Sequence, residues 1–353
     1  MDIGSMYEYE LESLVRDAGL PKFRAAQIYS WIHEKGVSGY EEMTNLPKTM
    51  REMLAEAWPL PELTPVRTLS SKDGDTTKYL FRLADGNVIE CVRMEYHHGT
   101  SVCISSQVGC RMGCRFCAST LLGLSRNLTA SEMLGQVYQI NRMIQAEDPE
   151  KRVSNVVVMG TGEPLDNYDN LVRFVRILSS EKGLNISQRN ITVSTCGLVP
   201  QIARLRDENL QITLAISLHA ADDETRRRIM PVANRYTIAE ILDACDSYFA
   251  VTGRRISFEY SLIEGENDSP ETAEKLAGLL AGKNCHVNLI PVNPVKERGY
   301  RHTGEAGVRA FQKRLMDHGV TCTIRRQMGA DIDAACGQLR KDYIDEVSEG
   351  VNT

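Results

Sequence analysis

Residues 154–180, SNVVVMGTGEPLDNYDNLVRFVRILSS, have the pattern of one strand followed by one helix. The valine-rich beginning favours a buried strand. The glycines and the proline of MGTGEPLDN then end that strand in a turn. After the turn, apolar residues recur at the three- and four-residue spacing of an amphipathic helix. The stretch therefore predicts a strand, a glycine-containing turn and a helix, in that order.

The same alternation recurs over residues 101–330. Parallel strands need crossovers of a dozen or more residues, usually helical, and these crossovers are right-handed. About six strand–helix units predict an α/β fold with a partial (β/α)6 barrel, because a closed barrel has eight. The predicted strands are SNVVVMG (154–160), NITVSTCG (190–197), QITLAISLH (211–219), RISFEYSLI (255–263), HVNLIPVNP (286–294) and VTCTIRR (320–326).

Three segments flank this predicted barrel. Residues 1–60 alternate apolar and charged positions at helical spacing, which predicts an N-terminal helical accessory domain. Residues 61–100 begin as a proline-rich linker and continue as alternating residues around Asp85 and Gly86, which predicts a β-hairpin extension. Residues 331–353 are polar and lack periodicity, so we expect a loop or tail there.

The composition indicates a soluble protein of the cytoplasm. Of the 353 residues 42% are hydrophobic, no apolar run approaches the ~20 residues of a membrane span, and the N-terminus lacks a signal-peptide pattern. The ten cysteines of such a chain are expected to be reduced and available to a metal or to catalysis. The net charge of −6 does not by itself indicate nucleic-acid binding, and basic runs such as residues 226–228 are interpreted as solvated surface.

Cys110, Cys114 and Cys117 form a C-x3-C-x2-C motif with an aromatic residue before the last cysteine. Three thiolates on one loop can hold three corners of an iron–sulfur cube and leave the fourth iron without a protein ligand. Zinc is the alternative, but a structural zinc site usually has four ligands, and the sequence has no second C-x2-C element. The motif therefore favours a cluster with one open iron.

This motif resembles that of the radical S-adenosylmethionine (SAM) superfamily. The resemblance implies one 4Fe–4S cluster per chain, whose open iron binds SAM, and an electron transfer that converts SAM into a 5′-deoxyadenosyl radical. Gly162 and Glu163 of the GEP segment are similar to the superfamily segment that binds the SAM amino group. Gly162 lets the backbone approach the ligand, and Glu163 can accept hydrogen bonds from an ammonium group.

Further residues narrow the resemblance to one family. Cys103 stands seven residues before the triplet, Glu90 lies in VIECV, and Cys336 lies in DIDAACGQLR. Together with SLH (217–219) and IPVNP (290–294), these motifs resemble the RlmN/Cfr family of RNA adenosine methyltransferases. The resemblance covers nearly the whole chain, and the motifs appear in the order found in the family.

The resemblance implies a mechanism that uses two thiols. Position C2 of adenine is not a nucleophile, so SAM cannot methylate it by simple displacement. Cys336 would take a methyl group from one SAM molecule, and a second SAM, the other of two per turnover, would supply the radical that removes hydrogen from this methyl group. The resulting methylene would link the adenine to Cys336, and Cys103 would help to remove the ring proton and form a disulfide with Cys336 as the adduct resolves. Glu90 is the other proton acceptor that the family suggests.

The resemblance also implies which residues contact SAM. They lie at the C-terminal ends of predicted strands, where barrel sites are built, and are Gly162, Glu163, Ser194, Ser217, Leu218, His219 and Asn293. Thr161 and Cys196 depart from the usual family pattern, which leaves the fine geometry of the SAM pocket open. The cysteines outside the motifs are interpreted as structural, and are Cys91, Cys196, Cys245, Cys285 and Cys322.

The substrate that the family implies is an adenosine in RNA, which must be unpaired or flipped before its base edge can react. One branch methylates C2 of an adenosine in the peptidyl-transferase centre of 23S rRNA and C2 of an adenosine beside the tRNA anticodon. The other branch, Cfr, methylates C8 of the rRNA adenosine and confers antibiotic resistance. The segments GEPL, IPVNPV and MGADIDAACGQL resemble the C2 branch, and C8 methylation is the alternative.

The remaining expectations concern partners and competing functions. A one-electron donor such as flavodoxin or ferredoxin is required, and a monomer without a membrane partner is expected. Lys22, Phe23 and Arg24 precede a predicted helix and are candidates for RNA handling. A radical enzyme that acts on protein would share the triplet but would not need both Cys103 and Cys336. A zinc-stabilised RNA-binding module would carry zinc and no coloured cluster.

Overall fold

The computed structural model describes residues 2–293, 295, 297–326, 332 and 337–350, so Cys336 lies outside the described residues. Within them, strands β1–β12 span Leu63–Ser70, Thr76–Leu83, Val88–Tyr96, Gly99–Ile104, Gln107–Gly109, Leu124–Asn127, Val153–Val158, Ile191–Thr195, Thr213–Ser217, Ile256–Leu262, Cys285–Pro291 and Cys322–Ile324. Helices α1–α11 span Glu8–Asp17, Phe23–Tyr29, Lys48–Ala57, Ala130–Glu147, Tyr168–Leu178, Val199–Asp207, Asp223–Ile229, Ile238–Thr252, Pro270–Leu280, Glu305–Asp317 and Gln338–Gly350. None of the helices in this part of the chain is both long and apolar enough to cross a membrane.

One large sheet organises the described chain, with its strands in the order β1, β2, β3, β4, β7, β8, β9, β10, β11, β12. Every neighbouring pair from β4 to β12 is parallel. Val156 and Val158 of β7 illustrate how alternate residues of these strands enter the main core beneath the helices. The six predicted strands are confirmed as β7–β12, and the predicted α/β partial barrel is confirmed with them.

The N-terminal side of the sheet differs from the prediction. The sequence did not predict β4, which carries Cys103 and adds a further parallel strand beside β7. Nor did it predict β1, which begins inside the proline-rich segment. Strands β1–β3 continue the barrel sheet beyond β4 as an antiparallel extension, in which β3 pairs with β4, β2 with β3 and β1 with β2. Both missed strands contain β-branched residues, and pairing with neighbours distant in the chain completes them.

The described part of the expected C-terminal tail is largely helical, as α11. Leu339 of this helix is buried with Leu80 and Val88 in a small core, against which Ile344 also packs. Short amphipathic helices of this kind are stabilised mainly by tertiary packing. The residues of α11 by themselves therefore have too weak a helical pattern for the helix to be predicted.

The helices α1–α3 enclose a separate hydrophobic core, and its most buried residues include Ile3, Leu11, Val15, Ile28, Met43 and Leu54. This helical unit docks on α4 and α5. Nδ1 of His33 lies 2.9 Å from the Tyr138 hydroxyl, and Nη1 of Arg173 donates to the Ser5 carbonyl over 2.9 Å. The N-terminal helices are thereby attached to the outer, helical layer of the barrel.

His33 makes the stability of this attachment dependent on pH. Burial lowers the pKa of His33 to about 3. Between the unfolded value, about 6.5, and that lowered pKa, only the unfolded chain binds the proton, so the free energy of unfolding falls as pH decreases. We expect the wild-type protein to lose about 1.4 kcal/mol more per pH unit than His33→Phe over this range. Urea denaturation at several pH values measures this difference, and parallel curves for the two proteins would contradict it.

Candidate active site

The cysteine triplet lies on a loop that is closed by hydrogen bonds to its backbone. The N–H of Cys110, which follows β5, donates to the Gly123 carbonyl over 3.0 Å. The Thr120 hydroxyl donates to the carbonyls of Cys114 and Cys117 over 3.1 and 2.9 Å. These bonds hold the backbone of the loop that carries the three cysteines.

A cavity with a volume of about 170 Å³ lies at the C-terminal ends of β7, β8 and β9. All three cysteines of the triplet line it. Several predicted SAM contacts also line it, namely Gly162, Glu163, Ser194, Ser217 and His219. Parallel strands present their carboxyl ends at one edge of a barrel, which explains why residues distant in sequence meet here.

The three thiols fit the ligand set of an iron–sulfur cluster. Burial raises the pKa of Cys110 to about 12, and burial together with the neighbouring thiols raises the pKa of Cys114 well above its usual value. The folded chain alone therefore disfavours thiolates here, whereas coordination to iron would favour them. Among the described residues, no three His, Cys, Asp or Glu side chains are arranged to ligate a single metal ion. Three thiols of one loop facing a shared cavity are the donors that a cluster requires.

The GEP segment forms one wall of the cavity. The buried Glu163 carboxylate accepts hydrogen bonds from the N–H groups of Leu165 over 3.0 Å and Cys196 over 2.7 Å. Burial raises the pKa of Glu163, and a nearby ammonium group would favour its charged form. At Gly162, φ is +117° and a Cβ atom would lie 2.8 Å from the Gln107 backbone nitrogen, so the turn requires glycine.

His219 is held as a neutral ring beside the cluster loop. Its Nδ1 accepts a hydrogen bond from the Ser261 N–H over 2.9 Å. Burial and the charge of Arg226 lower the pKa of His219 to about 3. The neutral ring therefore carries its proton on Nε2, as a donor. The ring also packs edge to face on Phe116, with centroids 5.0 Å apart.

Leu218 and Asn293 do not join the other predicted SAM contacts at the cavity wall. The Leu218 side chain is buried in the main core, because alternation along β9 turns it away from the face that carries Ser217. Asn293 follows β11 and is exposed. For these two residues, lying at a strand end does not place the side chain at the cavity.

Arg226 is a site residue that the sequence did not reveal. Residues 226–228 were expected to be solvated, but Arg226 is completely buried. Its guanidinium donates to the carbonyls of Cys196 over 2.7 Å and Leu218 over 3.1 Å. The fork of guanidinium donors thus ties the loops that follow β8 and β9 together. In sequence, Arg226 follows acidic residues at the start of α7, and this pattern does not indicate a buried arginine that joins two loops.

Comparison with known proteins identifies the family. Residues 104–277 match the Radical SAM superfamily, and residues 1–59 match the ribosomal RNA large subunit methyltransferase N-terminal domain. A protein of Lachnospira eligens named "Probable dual-specificity RNA methyltransferase RlmN" is 57% identical over 348 residues, which cover 99% of this chain and 98% of that protein. The chain belongs to the RlmN family.

Other RlmN relatives and a solved structure agree with this membership. A protein of the same name from Bacillus thuringiensis is 50% identical, with 96% of this chain and 92% of that protein covered. The crystal structure of a radical SAM methyltransferase from Sphaerobacter thermophilus has a TM-score of 0.92 at 47% identity and covers 96% of this chain and 98% of its own. Membership in this radical SAM family implies a 4Fe–4S cluster and SAM as cofactors.

In this RlmN-family chain, Cys103 lies on the face of the sheet opposite to the main core. Its cross-strand neighbours are Val92 on β3 and Val157 on β7. Side chains alternate along a strand, so Cys103 faces away from the core that buries Val102. The residues that line the cavity include Val158 and Met159 on the neighbouring segment but not Cys103 itself. Cys103 is 7% exposed and thus largely protected from solvent.

Other cysteines of the RlmN fold lie elsewhere. Four are buried in the main core, namely Cys91, Cys245, Cys285 and Cys322. Cys196 lies in the cavity wall, where its N–H bonds to Glu163.

Glu90 lies on β3 and faces the start of α11, where it accepts hydrogen bonds from the Gly337 and Arg340 backbones. The structure thus connects Glu90 with the residue that directly follows Cys336.

Glu163→Gln is expected to weaken SAM binding by about 10- to 100-fold, the value of a charge-assisted hydrogen bond. The amide can accept from only one of the two N–H groups that now bind the carboxylate, and it cannot pair with an ammonium. Equilibrium binding of SAM to the anaerobically reconstituted protein measures this change. Glu181→Gln removes an exposed carboxylate and is the control. Equal affinity of both variants would remove Glu163 from the SAM site.

Proposed function

We propose that this protein is a radical SAM methyltransferase that methylates C2 of adenosine in 23S rRNA and in tRNA. The observation that carries the proposal is a further cysteine, Cys103, on β4, in a chain whose complete cysteine triplet lines one cavity with several predicted SAM contacts. A protein that only generated a radical would not need this additional thiol. Full-length similarity to proteins named dual-specificity RNA methyltransferase supports the choice of RNA as substrate.

The proposed cofactors are one 4Fe–4S cluster per chain and SAM, of which two molecules are used per turnover. Cys110, Cys114 and Cys117 would hold the cluster, which supplies, with SAM, the radical chemistry that activates a methyl group. Gly162, Glu163, Ser194, Ser217 and His219 would surround SAM. Leu218 and Asn293 would contribute through the backbone or through a different arrangement of their segments.

Cys336 is proposed as the methyl carrier and Cys103 as the thiol that releases the product. In the release step, the Cys103 thiolate attacks the Cys336 sulfur, an S–S bond forms, and the C–S bond to the RNA breaks. The electron pair of that bond stays on the carbon, which takes up a proton and becomes the methyl group. The two thiols are thereby oxidised to a disulfide, which a cellular dithiol must reduce before the next turnover.

The N-terminal helices are proposed to handle RNA. Phe23 is 57% exposed, and the Arg24 guanidinium lies 4.8 Å from its ring centroid. An exposed aromatic ring beside cationic groups can stack on an unpaired base. Lys22 is largely exposed as well, although its ammonium lies 3.1 Å from Glu12. A cytoplasmic monomer and a one-electron donor such as flavodoxin or ferredoxin complete the proposal.

Mass mapping of methylated adenosine tests the function directly. RNA from cells with and without this protein is compared, and we expect 2-methyladenosine in 23S rRNA and tRNA only where the protein is present. Methylation at C8 would instead assign the protein to the Cfr-like activity. The absence of any protein-dependent methyl group would overturn the proposal.

Anaerobic purification tests the cofactor independently. We expect a coloured protein that loses its colour and its activity when iron is removed by a chelator, and regains both on reconstitution. A colourless protein that binds zinc and cannot be reconstituted would favour the RNA-binding module.

A further inference from the structure

A buried ion pair lies where the C-terminal helix meets the sheet. The Lys78 ammonium on β2 is 3.2 Å from Oε2 of Glu90 on β3, and both side chains are almost inaccessible, at 1% and 3% exposure. Removing two charges from water is unfavourable unless the charges are paired and their remaining hydrogen bonds are satisfied. Stability alone therefore does not explain why a pair of charges is buried here.

The Glu90 carboxylate binds the beginning of α11 with both of its oxygens. Oε2 accepts from the Gly337 N–H over 2.7 Å, and Oε1 accepts from the Arg340 N–H over 2.8 Å. The first N–H groups of a helix have no partner within the helix, so an acceptor from another element is well suited to them. Arg340 adds a bond from its Nε to the Val88 carbonyl over 2.9 Å. Strand β3 thus holds the first turn of α11.

The same turn is in close contact with the cluster loop. A Cβ atom at Gly337 would lie 2.5 Å from the backbone nitrogen of Ser119, and Gly337 has φ of +90°. Ser119 is only two residues beyond Cys117. Gly337 is therefore fixed between Glu90 on one side and the end of the cluster loop on the other. In sequence, it is the residue that directly follows Cys336.

We propose that Lys78 is a positioning residue for the methyl-carrying cysteine, because its ammonium holds the Glu90 carboxylate that binds the first turn of α11 after Cys336. This inference rests on the proposed function of Cys336. In this inference, Glu90 anchors the segment that follows Cys336. Its two oxygens are already bound by three donors, which are the Lys78 ammonium and the N–H groups of Gly337 and Arg340. Since reacting groups displaced by about 1 Å lose about 100-fold in rate, a loosened anchor would impair the step at Cys336.

Lys78→Met, which removes the ammonium and keeps most of the side-chain volume, tests the proposal. In hydrogen exchange, we expect the amides of Gly337 and Arg340 to lose about tenfold or more of their protection. RNA methylation should fall about 100-fold, while cluster absorbance and SAM cleavage to 5′-deoxyadenosine stay within about twofold. The ratio of 5′-deoxyadenosine to methylated RNA therefore rises. Wild-type protection of these two amides in Lys78→Met would overturn the proposal, and so would a wild-type ratio.

Three further proteins make the outcome specific. Lys78→Arg keeps the charge and should restore most of the protection and the coupling. Lys182→Met removes an exposed lysine that is paired with Glu8, and should change neither. If Lys78→Met does not fold, the double variant Lys78→Met with Glu90→Gln avoids an unpaired buried charge. It should hold the cluster but show the same uncoupling, and normal coupling in it would overturn the proposal.

The exchange measurement separates this inference from the proposed function. A wild-type protein that does not methylate RNA would refute the function, whereas protection at Gly337 and Arg340 that does not depend on Lys78 would refute the anchor alone.

Discussion

Cys103→Ala is expected to leave the protein covalently attached to its RNA, and Cys336→Ala is expected to abolish methyl transfer completely. The two outcomes differ because the proposed mechanism uses the thiols at different steps. Without Cys336 no carbon is loaded, so no bond to RNA can form. Without Cys103 the carbon is loaded and joined to the base, but no thiolate is present to attack the Cys336 sulfur and release the product.

Denaturing electrophoresis with labelled RNA detects the adduct, and mass spectrometry of the digested protein locates it. The adduct should be stable in the Cys103→Ala protein and absent from the Cys336→Ala protein. Cys322→Ala is a suitable control, because this thiol is buried in the main core away from the cavity. It should retain turnover. Full turnover by either of the first two variants would rule out the two-thiol mechanism.

Gly337→Ala is expected to reduce RNA methylation by about 100-fold or more while the cluster still assembles. The added methyl group would lie 2.5 Å from the Ser119 backbone nitrogen, and this contact is with backbone that cannot rotate away. The first turn of α11 must therefore move from the cluster loop or from Glu90. Either shift displaces the segment that follows Cys336.

Gly253→Ala is the matched control for backbone strain. Gly253 also has positive φ, +64°, but a Cβ atom there has no neighbour within 4 Å. Its substitution costs about 1–2 kcal/mol of conformational strain and should leave activity unchanged. Methylation and cluster absorbance, measured side by side for both variants, separate strain from collision. Normal activity in Gly337→Ala would show that α11 does not set the geometry of the reaction.

The parts of the site that the sequence predicted are formed by residues that lie close together in the chain. Cys110, Cys114 and Cys117 lie on one loop, and Gly162 and Glu163 lie in one turn. Each motif forms its part of the cavity through local backbone geometry, so the spacing of its residues carries the information. The parallel strands were predictable for a related reason, because β-branched runs and helical periodicity are signals within a single window.

The parts that were missed depend on partners distant in the chain. Strand β4 is short and forms between β3 and β7. Helix α11 packs on strands whose residues precede it by about 250 positions, as in the bond from Arg340 to Glu90. Arg226 has the sequence surroundings of a surface arginine, yet it closes the loops after β8 and β9. The contacts of β4 and α11, and that of Arg226 with Cys196, join residues too far apart to fall in one window of sequence.

The amino-acid sequence alone determined the barrel, the ligand triplet and the family, because each depends on residue types at short spacings. The family resemblance of its motifs also implied Cys103, Cys336 and Glu90 as a set. The folded chain decided where members of that set lie: alternation along β4 turns Cys103 away from the main core, and Glu90 binds the first turn of α11. The role inferred for Lys78 also depends on the tertiary structure. Only the folded chain shows that its buried ammonium lies beside Glu90.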